Sequence, residues 1–253
     1  MTLRPARLVA GFLVAACLVT APPRAHAYRP FVSTDAAVAD ARELEIELGY
    51  VTLRRERGEN TFLVPSLILN YGLLRDVELV GEFRVARTPN GDVNLIDPAL
   101  FVKAVVKEGV LQERDGVGIA VEAGPLLPST VRGDDGVGFE ATGIASARVA
   151  TLTVHLNLGG GVDRSAARPF GVWGMIGEVP VQPGLRVVGE VSGESVRGER
   201  ANNSALLGVI WQPSSRNIYW DAAVRRGITR GAPDWEVTTG VTFGFALPIF
   251  RKQ

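Results

Sequence analysis

His155 and Asn157 stand two residues apart in His155-Leu156-Asn157-Leu158-Gly159, so an extended chain places an imidazole and a carboxamide on one side. Such a pair serves acyl hydrolysis only when a Ser hydroxyl lies within hydrogen-bond reach of the imidazole. The sequence points to no Ser beside His155, and His26 is the chain's one other His, so metal-ligand spacing is missing too. A lumen-facing polar network is the preferred reading. Glu78 and Glu82 are four residues apart, roughly 13 Å along a strand, which exceeds the reach of a glycosidase carboxylate pair. Gly159-Gly160-Gly161 precedes no helix, so a close-packed strand or bulge is expected in place of a phosphate loop. Asp134-Asp135 is too small an acidic group for a Ca²⁺ site. Arg54, Arg55 and Arg57 suit a solvated hairpin tip better than a lipopolysaccharide site. No catalytic residue, metal or cofactor is expected.

What must position these side chains follows from composition and pattern. Among 253 residues, 29 Gly and 15 Pro disfavour a helical bundle. Lys and Arg number 27 against 27 Asp and Glu, which leaves no basic face for nucleic acid. Residues 1–27 have the features of a secretory signal peptide: Arg4 and Arg7, an apolar run over 8–19, and Ala25-His26-Ala27 for cleavage after Ala27. The run is shorter than the roughly 20 residues of a membrane-spanning helix. Val14-Ala15-Ala16-Cys17 offers a competing lipoprotein box, but the apolar run continues past Cys17. Cleavage after Ala27 leaves no Cys and a net charge of −3. Residues 28–41 are assigned to a periplasmic N-terminal segment and 42–253 to the body of the protein.

From Arg42 onward apolar residues recur with a period of two. Leu44, Ile46, Leu48 and Tyr50 oppose Glu43, Glu45, Glu47 and Gly49; Trp235, Val237, Val241, Phe243 and Phe245 oppose Glu236, Thr238, Gly240, Thr242 and Gly244. A strand collects those acids on one side, whereas a helix would scatter them. Turn residues divide the chain into about twelve strands, at 43–54, 61–71, 76–86, 97–107, 116–124, 137–147, 151–162, 170–179, 185–193, 204–212, 217–226 and 234–246. Most have the length that a tilted strand needs to cross a bilayer. Pro65 requires a bulge in the second strand or a later start to it.

The connections alternate. Those at 55–60, 87–96, 125–136, 163–169, 194–203 and 227–233 are polar and mostly long; those at 72–75, 148–150, 180–184 and 213–216 are short, and 108–115 breaks the rule. Alternation of this kind is expected of an all-β, single antiparallel up-and-down transmembrane β-barrel with both ends of the chain in the periplasm. Its charged face would then point inward. The expected pore-lining residues are Glu45, Glu47, Glu78, Glu82, Arg84, Lys103, Glu122, His155, Asn157, Arg186, Glu190, Arg225 and Glu236. Trp173, Trp211, Tyr219, Trp220 and Trp235 fall near strand ends, where aromatic girdles would sit.

Several short motifs resemble the proteobacterial outer-membrane barrels grouped as the MetA pathway of phenol degradation. They are Arg29-Pro30-Phe31-Val32-Ser33-Thr34-Asp35, Glu43 to Tyr50, Pro65, Tyr71-Gly72, Val77-Glu78-Leu79, Asp97-Pro98 with Lys103, Pro125 and Pro128, His155 to Gly159, and Gly240 to Phe245. The resemblance implies a barrel that passes small or hydrophobic organic molecules. Two departures stand out: the strand after 185 is rich in Gly and Val, and Phe250 is followed by Arg251-Lys252-Gln253. The expected function is an outer-membrane channel or transporter for small solutes, in contact with outer-membrane lipid and the barrel-insertion machinery, in a Gram-negative bacterium. The alternative is a secreted, soluble β-barrel or sandwich that binds a ligand.

Overall fold

Period-two alternation becomes twelve antiparallel strands in the computed structural model, which describes residues 29–88, 90–165, 167–213 and 217–247. The proposed signal peptide with Cys17, and the end of the chain around Phe250, lie outside the described residues. The strands are β1 Glu43–Glu56, β2 Glu59–Leu74, β3 Val77–Arg87, β4 Val93–Lys107, β5 Gly118–Leu126, β6 Gly138–Val149, β7 Leu152–Val162, β8 Pro169–Gln182, β9 Leu185–Val196, β10 Asn202–Trp211, β11 Ile218–Gly227 and β12 Trp235–Ala246. Each pairs with its chain neighbours, and β1 closes on β12 from Glu43↔Ala246 to Arg55↔Trp235. Closure leaves no row of unpaired N–H and C=O groups at a sheet edge. The all-β, twelve-stranded, up-and-down barrel expected from the sequence is the observed fold.

Departures from the expected bounds have local causes. β2 runs through Pro65 by shifting register between Leu63 and Ser66, which accommodates the missing donor. The first connection is not long: the strands continue to Glu56↔Glu59 around Arg57-Gly58. Both of those residues have positive φ, 50° and 88°, as a two-residue hairpin turn of matching twist requires. The anomalous connection after β4 is the one between β4 and β5 and holds a short 3-10 turn, Val110–Gln112.

Burial settles which face is inside. Glu47, Glu78 and Lys103 are 0% exposed, whereas Leu158 and Leu207, on the opposite parity, are 74% and 68% exposed. Val102, Val121, Leu156, Met175, Val209, Val224 and Val237 follow the outward pattern, as do Trp173, Trp211 and Trp220. Each large aliphatic side chain turned outward forgoes about 1.5–3 kcal/mol unless something apolar covers it. Tyr219 leaves the expected girdle and packs inward beside Val188 and Ile210. The inward parity of β11 places it on the face of Asp221, opposite Trp220.

Candidate functional site in the barrel lumen

Residues 29–41, assigned from sequence to a periplasmic N-terminal segment, make their contacts with the inner wall of the barrel. From Asp40, whose carbonyl accepts the Glu43 N–H at the start of β1, the segment runs back along the inner wall. Ala39 N–H donates to Glu78 Oε2 on β3 at 2.7 Å, and Ala36 N–H to Ser146 Oγ on β6 at 2.9 Å. Thr34 is clamped by Asn157 on β7, which accepts its N–H at 3.1 Å and donates to its carbonyl at 2.7 Å. Val32 and Ser33 N–H groups meet the Glu190 carboxylate on β9, the shorter bond being 2.7 Å. Arg29 N–H donates to Glu47 Oε2 on β1 at 3.1 Å. The Arg29 guanidinium reaches Thr238 Oγ1 on β12 at 2.7 Å and Asp221 on β11 at 3.5 Å. A coil without internal ladder bonds cannot satisfy its own N–H groups. Here the wall's inward carboxylates and amides do so.

The wall is shaped to receive the segment. A Cβ at Gly174 would lie 1.8 Å from Ser33 Oγ, one at Gly72 would lie 2.0 Å from the Asp40 carbonyl oxygen, and one at Gly49 or Gly240 would strike the Arg29 guanidinium at 2.6 or 2.5 Å. A Cβ at Gly72 meets the backbone of the segment, whereas one at Gly174, Gly49 or Gly240 forces the Ser33 or Arg29 side chain aside. The long connection between β4 and β5 also takes part, since Gln112 Nε2 donates to the Ala36 carbonyl at 2.8 Å. Its length, which broke the alternation in the sequence, brings a donor to the segment from the short-turn rim.

Charges taken out of water persist when paired and hydrogen-bonded. Lys103 Nζ lies 3.4 Å from Glu78, 3.9 Å from Asp35 and 3.2 Å from Thr34 Oγ1. Arg225 bonds Glu190 at 2.7 Å, Ser192 at 3.2 Å and Ser204 at 3.1 Å, and approaches Glu236 at 3.9 Å. Arg54 Nε donates to Glu236 at 2.9 Å, so it belongs to the wall and not to a solvated tip. Glu47 also accepts from Asn70 at 2.7 Å, and Arg84 stands 3.7 Å from Glu82.

His155 does have a Ser neighbour, contrary to the reading from sequence. Ser146 Oγ lies 2.8 Å from His155 Nδ1, Glu178 lies 3.6 Å from His155 Nε2, and Arg186 bonds Glu178 at 2.6 Å. Sequence could not show this pair, because Ser146↔His155 is a cross-strand register of β6 and β7. The order is that of a Ser–His–carboxylate relay. The hydroxyl, however, is 0% exposed and already receives the Ala36 N–H. Its observed work is to hold the segment.

Above Arg29–Thr34 lies a cavity of about 420 Å³ that reaches Asp97, Asp163 and Pro233 near the long-loop rim. Of the thirteen residues expected from sequence, Glu47, Glu78, Glu82, Arg84, Glu122, Asn157, Arg225 and Glu236 line it. Glu45, Lys103, His155 and Glu190 are buried outside the lining of the cavity, and Arg186 is linked to His155 through Glu178. Glu140, Glu178, Glu194 and Asp221 went unselected although the alternation that marked the others includes them; Arg29 and Asp35 sit in aperiodic chain and carry no such signal. One part of the inner wall is apolar: Val80, Ala99, Phe101, Leu126 and Phe170 form a buried cluster with Ile68, Val172 and Val196 against it.

Comparison with protein families and with curated proteins returns no match. The fold is similar to an outer membrane channel from Pseudomonas putida F1, with a TM-score of 0.57 at 10% identity over 83% of this chain and 97% of that one. Looser likenesses are the translocator domain of the autotransporter NalP from Neisseria meningitidis, with a TM-score of 0.43, 12% identity and 83% and 90% coverage. Another is an anion-selective porin from Comamonas acidovorans, with a TM-score of 0.41, 9% identity and 80% and 98% coverage.

Proposed function

We propose that this protein is an outer-membrane channel for small organic solutes, exported by a signal peptide cleaved after Ala27 and closed by its own residues 29–41. The observation that carries the reading is the inverted barrel: carboxylates and Lys103 at 0% exposure inside, and a continuous outward set of Leu, Val, Met and Trp. Hydrocarbon provides no hydrogen-bond partner, so a closed sheet with an apolar exterior is the β solution for a membrane. A soluble carrier of the same strand count would put those apolar side chains in its core. Outer-membrane lipid and the insertion machinery are the partners this location implies. The thirteen residues expected from sequence would line or support the solute path, and the closed segment accounts for a lumen in which Asn157 and Glu190 meet the segment before they meet solute.

Spin labels provide the test. In protein refolded into lipid vesicles, a label at Leu79 is expected to relax with a lipid-soluble quencher and a label at Glu82 with a water-soluble one. Leu79 is 40% exposed on the outer face, while Glu82 lines the cavity. Equal access, or the reverse order, would remove the membrane reading, as would recovery of the native protein in the soluble periplasmic fraction.

A further inference from the structure

We propose that the cavity above the N-terminal segment binds a monovalent organic cation with an aromatic or alicyclic body. The inference rests on the channel reading for the route by which the ligand arrives, but not for the binding itself.

Two features of the lining, set side by side, select this class. The first is charge. Nine carboxylates and five guanidiniums line the cavity, and the guanidiniums are largely committed: Arg54 to Glu236, Arg225 to Glu190, Arg29 to Asp221, and Arg164 to the Leu127 and Pro98 carbonyls at 2.7 and 2.9 Å. Arg84 faces Glu82 and Asp97 at 3.7 and 4.0 Å. Glu122, Glu140 and Glu194 form no ion pair within 4.0 Å among the described residues. Glu140 faces Gly124 and Gly161 in the cross-strand register, and Gly161 in turn pairs with Phe170, so this carboxyl group lies beside the aromatic part of the wall. Lys103 is the opposite charge within electrostatic reach of Glu122, and Arg164 that of Glu140 and Glu194. A carboxylate without an ion pair attracts a cation, the more so where the bound ligand displaces water.

The second feature is the apolar wall. Phe101 and Phe170 belong to one buried cluster on the inner face of the same cavity, where a polar lumen would be expected to continue. An inorganic ion has no use for that surface. Among the described residues no group of three His, Cys, Asp or Glu is arranged to hold a metal. Aromatic faces attract organic ammonium groups and also receive apolar bodies. The volume falls within the range of small-molecule sites, roughly 300–1,000 Å³. An ammonium directed at Glu122 and Glu140, with its ring on Phe101 and Phe170, satisfies both halves of the lining at once.

The test is a binding series on refolded full chain in detergent, read by saturation-transfer NMR and calorimetry. Phenethylammonium is expected to bind, with phenethyl alcohol, phenylacetate and putrescine each weaker by roughly tenfold or more. Glu122→Gln and Glu140→Gln are expected to weaken phenethylammonium by a similar factor while leaving phenethyl alcohol unchanged, and Phe101→Ala to weaken both. Heat-dependent gel mobility reports whether each variant has folded, and Glu194→Gln substitutes for any that has not. Equal binding of the alcohol, equal binding of putrescine, or no binding of phenethylammonium would each overturn the proposal. Conductance without binding would remove this site and leave the channel; binding without conductance would do the reverse.

Discussion

Planar-bilayer recordings of protein lacking residues 29–40 are expected to show open-channel conductance on the order of tenfold above that of the full chain, with cations preferred. The segment is held by side chains from β1, β3, β4, β6, β7, β9, β11 and β12. Its removal opens the inner wall from the Glu43 end of β1 to the cavity. Fixing one residue's backbone costs roughly 1–2 kcal/mol, and a hydrogen bond to a charged acceptor returns about 1.5–3 kcal/mol. The two are of one size, so ordering the segment offsets much of what its hydrogen bonds return. Unchanged conductance after deletion would show that some other element closes the lumen.

A cross-link makes the same point without removing chain. The Gly174 Cβ position lies 3.0 Å from Ser33 Cβ, within about half an ångström of the spacing a disulfide needs. Expressed from Tyr28 onward, and so without Cys17, a Ser33→Cys/Gly174→Cys protein contains one pair of thiols. Oxidised, it is expected to stay closed; reduced, its conductance is expected to return at least to the full chain's level. A channel equally active in both redox states would sink the closure model. Neither exchange adds or removes a charged side chain, and the Ser33 N–H that meets Glu190 is backbone, so the charges of the lining are left as they were.

The strands were legible because one physical rule wrote them. Alternation of Glu45 with Leu44 and Ile46, or of Glu78 with Val77 and Leu79, marks a sheet with two different sides. The twelve expected strands sit within a few residues of the observed ones. That rule does not reach Arg29–Asp40, which has no period. Its place is set by side chains from strands distant in sequence, such as Glu190 and Thr238, and by the missing Cβ atoms of Gly49, Gly72, Gly174 and Gly240. Those glycines looked like ordinary members of a small-residue inner face. Ser146 was hidden from His155 for a related reason, since the eight residues between them are a turn-and-return whose register no local pattern prints. The first connection was overestimated because Arg55 to Asn60 is polar throughout, and polarity does not distinguish a solvated loop from the polar ends of long strands.

The largest expected loss of stability comes from Lys103→Met. Lys103 is 0% exposed and stands between Glu78, also 0% exposed, and Asp35. Methionine fills a comparable volume but leaves two carboxylates without their cation, and breaking a buried pair in this way costs about 3–5 kcal/mol. Urea titration of the refolded barrel in lipid, followed by tryptophan emission, measures it. Adding Glu78→Gln to the same chain is expected to recover a large part of the loss, because the carboxylate that the Met strands is then gone. Arg75→Ala serves as the contrast: Arg75 pairs with Glu108 at the short-turn rim, where its side chain is 75% exposed, and an exposed pair contributes about 0–1 kcal/mol. A Lys103→Met loss no larger than that of Arg75→Ala would mean that the lumen holds enough water to solvate Glu78 and Asp35 by itself. In that case the N-terminal segment is not the seal that its contacts with Glu78, Ser146 and Glu190 make it.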